Sequence, residues 1–144
     1  MIQLLVAAGV VAIAVVVGLV LRRRQHVDVP TQVSYEAPTQ LDRADFPDAT
    51  APWLVAVFSS ATCTSCADVV RKATVLRTEA VDVVDVEYTA AKALHAKYRI
   101  EGVPIVVIAD SDGVVRKHFI GPVTATDLWA ACAAARSPGG TEGP

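Results

Sequence analysis

The chain has 144 residues, a length that suits one small domain and an appendage. Its net charge of −2 gives no basic footprint for nucleic acid, and three cysteines are too few for a disulfide-stapled secreted scaffold. No internal repeat of solenoid length is present, and the hydrophobic share of 53% is concentrated at the N-terminus.

Residues 2–21, Ile2 to Leu21, carry only apolar side chains and glycine apart from Gln3. A run of about 20 residues is roughly 30 Å long as a helix, enough to cross the hydrocarbon core. A cleaved signal peptide would place positive charge ahead of a shorter apolar stretch and end in a small-x-small site. Here no Lys or Arg precedes the run, Arg22-Arg23-Arg24 follows it, and no such site is present. A core helix would be shorter and show a polar face. The run is therefore expected to be an uncleaved, single-pass transmembrane helix. Positive charge beside a span stays on the cytoplasmic side, which puts the rest of the chain there. The same arginines can attract anionic lipid head groups.

Residues 22–40 are polar, contain Pro30 and Pro38, and read as a linker, with a short strand allowed near residues 32–35. Residues 41–136 form the expected domain. Residues 137–144, rich in Gly and Pro, read as a disordered tail.

Within the domain, residues 53–58 are a continuous apolar run, which predicts a strand buried on both faces, begun by Trp53. Residues 64–77 have helical spacing, with Val69, Val70, Ala73 and Leu76 on one stripe. Residues 81–86 are β-branched and predict a second strand; residues 90–98 predict a short helix. Residues 104–109 and 114–120 predict a hairpin around Asp110-Ser111-Asp112-Gly113, where Gly113 can take positive φ. A last helix runs over residues 124–135, capped by Thr124 or Thr126, with Asp127 near its positive end. The order β-α-β-α-β-β-α predicts an α/β fold. Parallel crossovers come first and an antiparallel edge last, in a central mixed sheet flanked by helices.

The chemistry-bearing motif is Cys63-Thr64-Ser65-Cys66, between a buried strand and a helix. Cysteines three apart at a first helical turn share one side. At the helix N-terminus, free amides and the macrodipole favour thiolate, the nucleophilic form, at Cys63. Cys66, one turn deeper, can resolve a mixed disulfide and release the partner. Cys63 is the expected attacking thiol and Cys66 the resolving one.

The strand–C-x-x-C–helix junction, Gly102-Val103-Pro104 at the head of a strand, and Gly121 before the last helix together resemble the thioredoxin superfamily. The resemblance spans roughly residues 41–136. It implies a cis-proline loop in which Val103 and Pro104 line a substrate groove with Thr62, Thr64 and Ser65. It also implies dithiol–disulfide exchange with protein thiols and disulfides, with no metal and no organic cofactor. The family's frequent Trp-Cys-Gly-Pro-Cys is here Thr62-Cys63-Thr64-Ser65-Cys66, and Val57 stands where thioredoxins often keep a buried aspartate. Without that base, proton transfer from Cys66 is expected to be slower or to pass through water, with Glu87 at the end of the second strand as the candidate substitute. These departures argue against a general-purpose thioredoxin and for a specialised or weakly active relative.

Blander readings stand beside these. The pair belongs to half a zinc site only if two more ligands come from Cys132, His26, His95 and His118, none of them paired in sequence. The fold can also serve as a redox-inactive membrane-anchored binding module. Cys132, among Leu128, Trp129 and Ala133, reads as a buried free thiol packed as a small apolar residue. His95 and His118 read as surface residues. Asp68 favours the helix dipole, but if it lies near the sulfurs it opposes thiolate formation.

Overall fold

The computed structural model describes residues 35–137 and, ahead of them, residue 15. The expected membrane helix, most of the linker and nearly all of the tail lie outside the described residues. Among the described residues no helix is long and apolar enough to cross a membrane. Of the strand allowed near residues 32–35, only Tyr35 is described, and it belongs to no strand.

After a short 3₁₀ turn at Arg43–Asp45, the chain runs β1 (Trp53–Ser59), α1 (Cys66–Thr74), β2 (Val81–Glu87), α2 (Lys92–Lys97), β3 (Ile105–Ala109), β4 (Val115–Ile120) and α3 (Ala125–Arg136). The strands form one sheet in the order β2-β1-β3-β4. β1 is central, and every residue after Trp53 in it is buried, as its unbroken apolar run requires.

β1 and β2 are parallel, and β3 and β4 form the antiparallel hairpin. β3 departs from the expected crossovers, because it runs antiparallel to β1. The cause is the length of α2. Its six residues rise only about 9 Å, against the roughly 23 Å of seven-residue β2. The connection therefore enters β3 at the end of the sheet where it left β2. Ile105 pairs with Phe58 there, next to the Ser59–Glu87 pair.

The sheet is covered on both faces. Val55, Val57, Val81, Val83, Val106 and Ile108 pack with Val69 and Ala73 of α1 and Leu128 and Cys132 of α3. On the other face Leu54, Ala56, Phe58, Ile105 and Val107 pack with Leu41, Phe46 and the partly buried Leu94 and Tyr98. Each fully buried large apolar side chain contributes about 1.5–3 kcal/mol of burial.

His95 corrects the surface reading. It is 3% exposed, its Nε2 lies 2.7 Å from the Val86 carbonyl oxygen, and its ring meets Phe58 and Tyr88 edge to face. α2 holds the imidazole against the sheet, where the Val86 carbonyl of β2 meets its buried Nε2. His118 is exposed, as expected.

Two local expectations rest on single residues. Thr124 caps α3 by accepting from the Asp127 amide at 3.1 Å. Gly113 has φ of 77°, and its carbonyl accepts from the Leu41 amide at 2.8 Å.

Candidate functional site

β1 delivers the chain to a tight loop, residues 60–65, and α1 carries it away. Cys66 is the first residue of α1, two later than the spacing of residues 64–77 suggests. Its amide bonds the Cys63 carbonyl in a turn at 3.3 Å, so the helical ladder begins only with the Val69 amide on Ser65 at 3.2 Å. Ser65 occupies the cap position but makes no side-chain cap bond. Its hydroxyl lies instead 3.7 Å from the Cys63 sulfur. Cys63 thus sits just outside the helix, facing its free amides and positive end.

Cys63 and Cys66 are joined as a disulfide, with Cα atoms 5.4 Å apart. Cys63 is partly exposed, whereas Cys66 is 2% exposed. A partner can reach only the first sulfur without opening the fold.

Val103 and Pro104 approach from the head of β3. Their peptide bond is cis, as the resemblance implies, and the Val103 carbonyl oxygen lies 3.9 Å from the Cys63 sulfur. Pro104 is buried and Val103 partly so. The Tyr35 ring lies against Gly102; a Cβ there would come within 2.8 Å of that exposed ring, which would have to swing aside. Thr62 and Thr64 are exposed on the loop rim, and the Thr62 hydroxyl lies 3.1 Å from that of Ser60. The structure therefore brings Cys63, Cys66, Ser65 and Val103 together, while Thr62 and Thr64 make no hydrogen bond to the sulfurs.

Glu87 is at the end of β2, but its carboxylate is already committed. It accepts from the amides of Thr89 at 2.9 Å and of Ala61 and Ala90 at 3.1 Å each. These bonds, the Thr89 amide foremost, outweigh its desolvation and hold its carboxyl below the usual range. Glu87 is a clamp on the cysteine loop through Ala61 and is poorly disposed to take a proton.

Asp68 is neutralised on its own helix by Arg71 and by Lys72, the latter at 2.5 Å. The Lys72 hydrogen bond foremost holds its carboxyl low.

Asp85 and Ser59 escaped the sequence reading. The Ser59 hydroxyl donates to Asp85 Oδ1 at 2.5 Å, and Ser59 is buried. Asp85 is the register partner of Val57 on the neighbouring strand. A cavity of about 360 Å³ is lined by Ser59, Cys63, Cys66, Arg71, Asp85 and Glu87, among others. The signal was present in the alternation of β2: Asp85 and Glu87 continue the face that Val81 and Val83 turn toward α1.

Cys132 lies in α3, free and buried, and burial pushes its thiol up. Among the described residues no three His, Cys, Asp or Glu side chains gather as metal ligands.

No family model matches the sequence, and no curated protein matches it. Solved structures do match by shape. A mutant thioredoxin from Halobacterium salinarum aligns at TM-score 0.56 with 18% identity, over 71% of this chain and 96% of that one. Thioredoxin from Fasciola hepatica aligns at TM-score 0.52 with 22% identity, over 60% of this chain and 83% of its own. Trxlp from Edwardsiella tarda aligns at 0.50 with 18% identity, over 62% and 91%. At these identities the likeness speaks for the fold, and it agrees with the sheet order, the C-x-x-C turn and the Val103–Pro104 loop: the chain has the thioredoxin fold.

Proposed function

We propose that the protein is a membrane-tethered thiol–disulfide oxidoreductase acting on protein partners. The observation that carries this reading is the asymmetry of the cysteine pair. A partly exposed Cys63 is bonded to a buried Cys66 at the start of α1, and the Val103 carbonyl oxygen lies 3.9 Å from the outer sulfur. In the reduced protein the Cys63 thiolate attacks a partner disulfide, and Cys66 then attacks Cys63 and releases the reduced partner. Run backwards, the same steps oxidise a partner dithiol. Val103 and Pro104 form one wall of the groove, with Thr62, Thr64 and Ser65 on its rim. The likeness to thioredoxins supports exchange at this general level.

The apolar run of residues 2–21 supplies the tether, and Arg22-Arg23-Arg24 places the domain on the cytoplasmic side. Labelling reduced Cys63 in intact cells with a membrane-impermeant maleimide tests this placement. Little labelling before lysis is expected; ready labelling would put the domain outside.

The reaction is tested by following reduction of a protein disulfide by the purified, reduced chain. Wild type should exchange, and Cys63→Ser should not. A wild type without exchange leaves the anchored binding module as the reading of this fold.

A further inference from the structure

A buried thiol that must attack needs somewhere to send its proton, because burial without compensation disfavours the charged form. Cys66 is 2% exposed and is the resolving thiol of the reaction proposed above, on which this inference rests. The cavity beside it is lined by two carboxylates, Asp85 and Glu87. Glu87 is filled by three backbone amides. Asp85 accepts a single hydrogen bond among the described residues, from the buried Ser59 hydroxyl at 2.5 Å, through Oδ1. Its Oδ2 has no hydrogen-bond partner among the described residues, and Asp85 is exposed to solvent.

We infer that Asp85, held by Ser59, is the proton acceptor for Cys66 in the resolving step, working across the cavity through solvent. The cavity has room for several waters. Ser59 has a second role in this arrangement. Its hydrogen goes to Asp85, so its oxygen can accept from a water on the cysteine side and link Cys66 to the carboxylate. Asp85 is thus a positioning and proton-accepting residue rather than one that touches the sulfurs.

The step balances as follows. The Cys66 S–H proton passes to the Asp85 carboxylate, and the Cys66 thiolate attacks the Cys63 sulfur of the mixed disulfide. The Cys63–partner S–S bond breaks and the Cys63–Cys66 bond forms. The partner sulfur leaves as a thiolate carrying the electron pair and is protonated by solvent, and Asp85 returns its proton to solvent. The two-electron oxidation of the cysteine pair equals the reduction of the partner. Asp85 is faced by Ser59 on β1, Glu87 on its own strand, Arg71 on α1 and both cysteines. Asp45 and Asp48 of the segment before β1 line a pocket on the opposite face of the sheet, with Val84 and Val86, and do not face its carboxylate. Arg71 is engaged by Asp68, so no free cation stands against Asp85 among the described groups of the cavity.

The test uses the full chain, reduced and purified in detergent, against a small aromatic disulfide whose thiolate is coloured on release. The first release reports Cys63 attack and the second reports resolution by Cys66. In Asp85→Asn the first should stay within about twofold of wild type. The second should slow by about tenfold or more near neutral pH. The gap should narrow as pH rises toward about 9, because solvent then takes up more of the thiol's proton without a base. Ser59→Ala should show a smaller defect of the same kind. Two results overturn the relay: an Asp85→Asn second release as fast as wild type at every pH between about 6 and 9, or an equal slowing of both releases, which would mean a disturbed loop. A wild type that releases neither thiolate overturns the exchange reading itself, and the relay with it.

Discussion

The Cys63 sulfur lies 3.9 Å from the carbonyl oxygen of Val103, a residue 40 positions further along the chain. That pairing depends on the antiparallel entry of β3, which puts residues 103 and 104 at the end of the sheet where β1 releases the cysteine loop. It also makes the two cysteines unequal, since one side of the pair faces the groove and the other faces the core. After reduction, iodoacetamide should therefore modify Cys63 at least about tenfold faster than Cys66. Peptide mapping over a time course measures the two rates, and equal rates would remove the assigned order of attack.

Cys132 is buried beside Leu128 and Val69 in the core, and burial raises its thiol. In the folded, reduced chain it should stay unmodified while Cys63 is fully labelled. In denaturant it should label readily, and intact mass resolves the difference.

Two glycines with positive φ separate strain from collision. At Gly113, φ is 77° and an added Cβ would come within 2.0 Å of the Leu41 carbonyl oxygen, a backbone atom that cannot swing away. At Gly121, φ is 88° but nothing lies within 4 Å of the added carbon. Gly121→Ala should cost about 1–2 kcal/mol from backbone strain alone. Gly113→Ala should cost about 3 kcal/mol or more, because the Leu41 segment must also shift. Urea titrations of both variants give the comparison, and equal costs would contradict the contact.

The Tyr98–Asp45–Lys97 cluster should shape stability at both ends of the pH range. The Lys97 hydrogen bond first, and the Tyr98 hydroxyl second, hold the Asp45 carboxyl below its ordinary 3.8. A depressed carboxyl stabilises the fold above its unfolded value, and that stability is lost as pH falls through the folded one. Tyr98 is pushed up to about 12, by burial first and by its bond to Asp45 second. Its contribution is whole below the unfolded value of 10.0 and is lost as pH rises from there to about 12. Asp45→Asn should flatten the acid limb of a stability–pH curve, and Tyr98→Phe should reduce the alkaline slope. Unchanged limbs would contradict the cluster.

Much of this was readable along the chain because it is local. The apolar run of β1, the C-x-x-C junction, Gly113 in its turn and Thr124 at its cap each carry their signal within a few residues. Apart from the two-residue delay in the start of α1, the misses are non-local. The run of residues 81–86 marks β2 as a strand but does not say that Asp85 stands opposite Val57, next to the buried Ser59. The pattern of α2 shows Leu94 and Tyr98 on one face. It does not show that so short a helix reverses β3 or presses His95 between Phe58 and Tyr88. Glu87 was visible as a carboxylate near the motif, whereas its three backbone partners exist only once the loops have closed.

The most direct test of the account is the covalent trap. Full-length Cys66→Ser, reduced and mixed with a protein disulfide, should accumulate a mixed disulfide whose partner is bonded to Cys63, as identified by intact mass and peptide mapping. Cys63→Ser should accumulate none. Failure of Cys66→Ser to trap any partner, in a chain shown to be folded, would contradict thiol–disulfide exchange at this site.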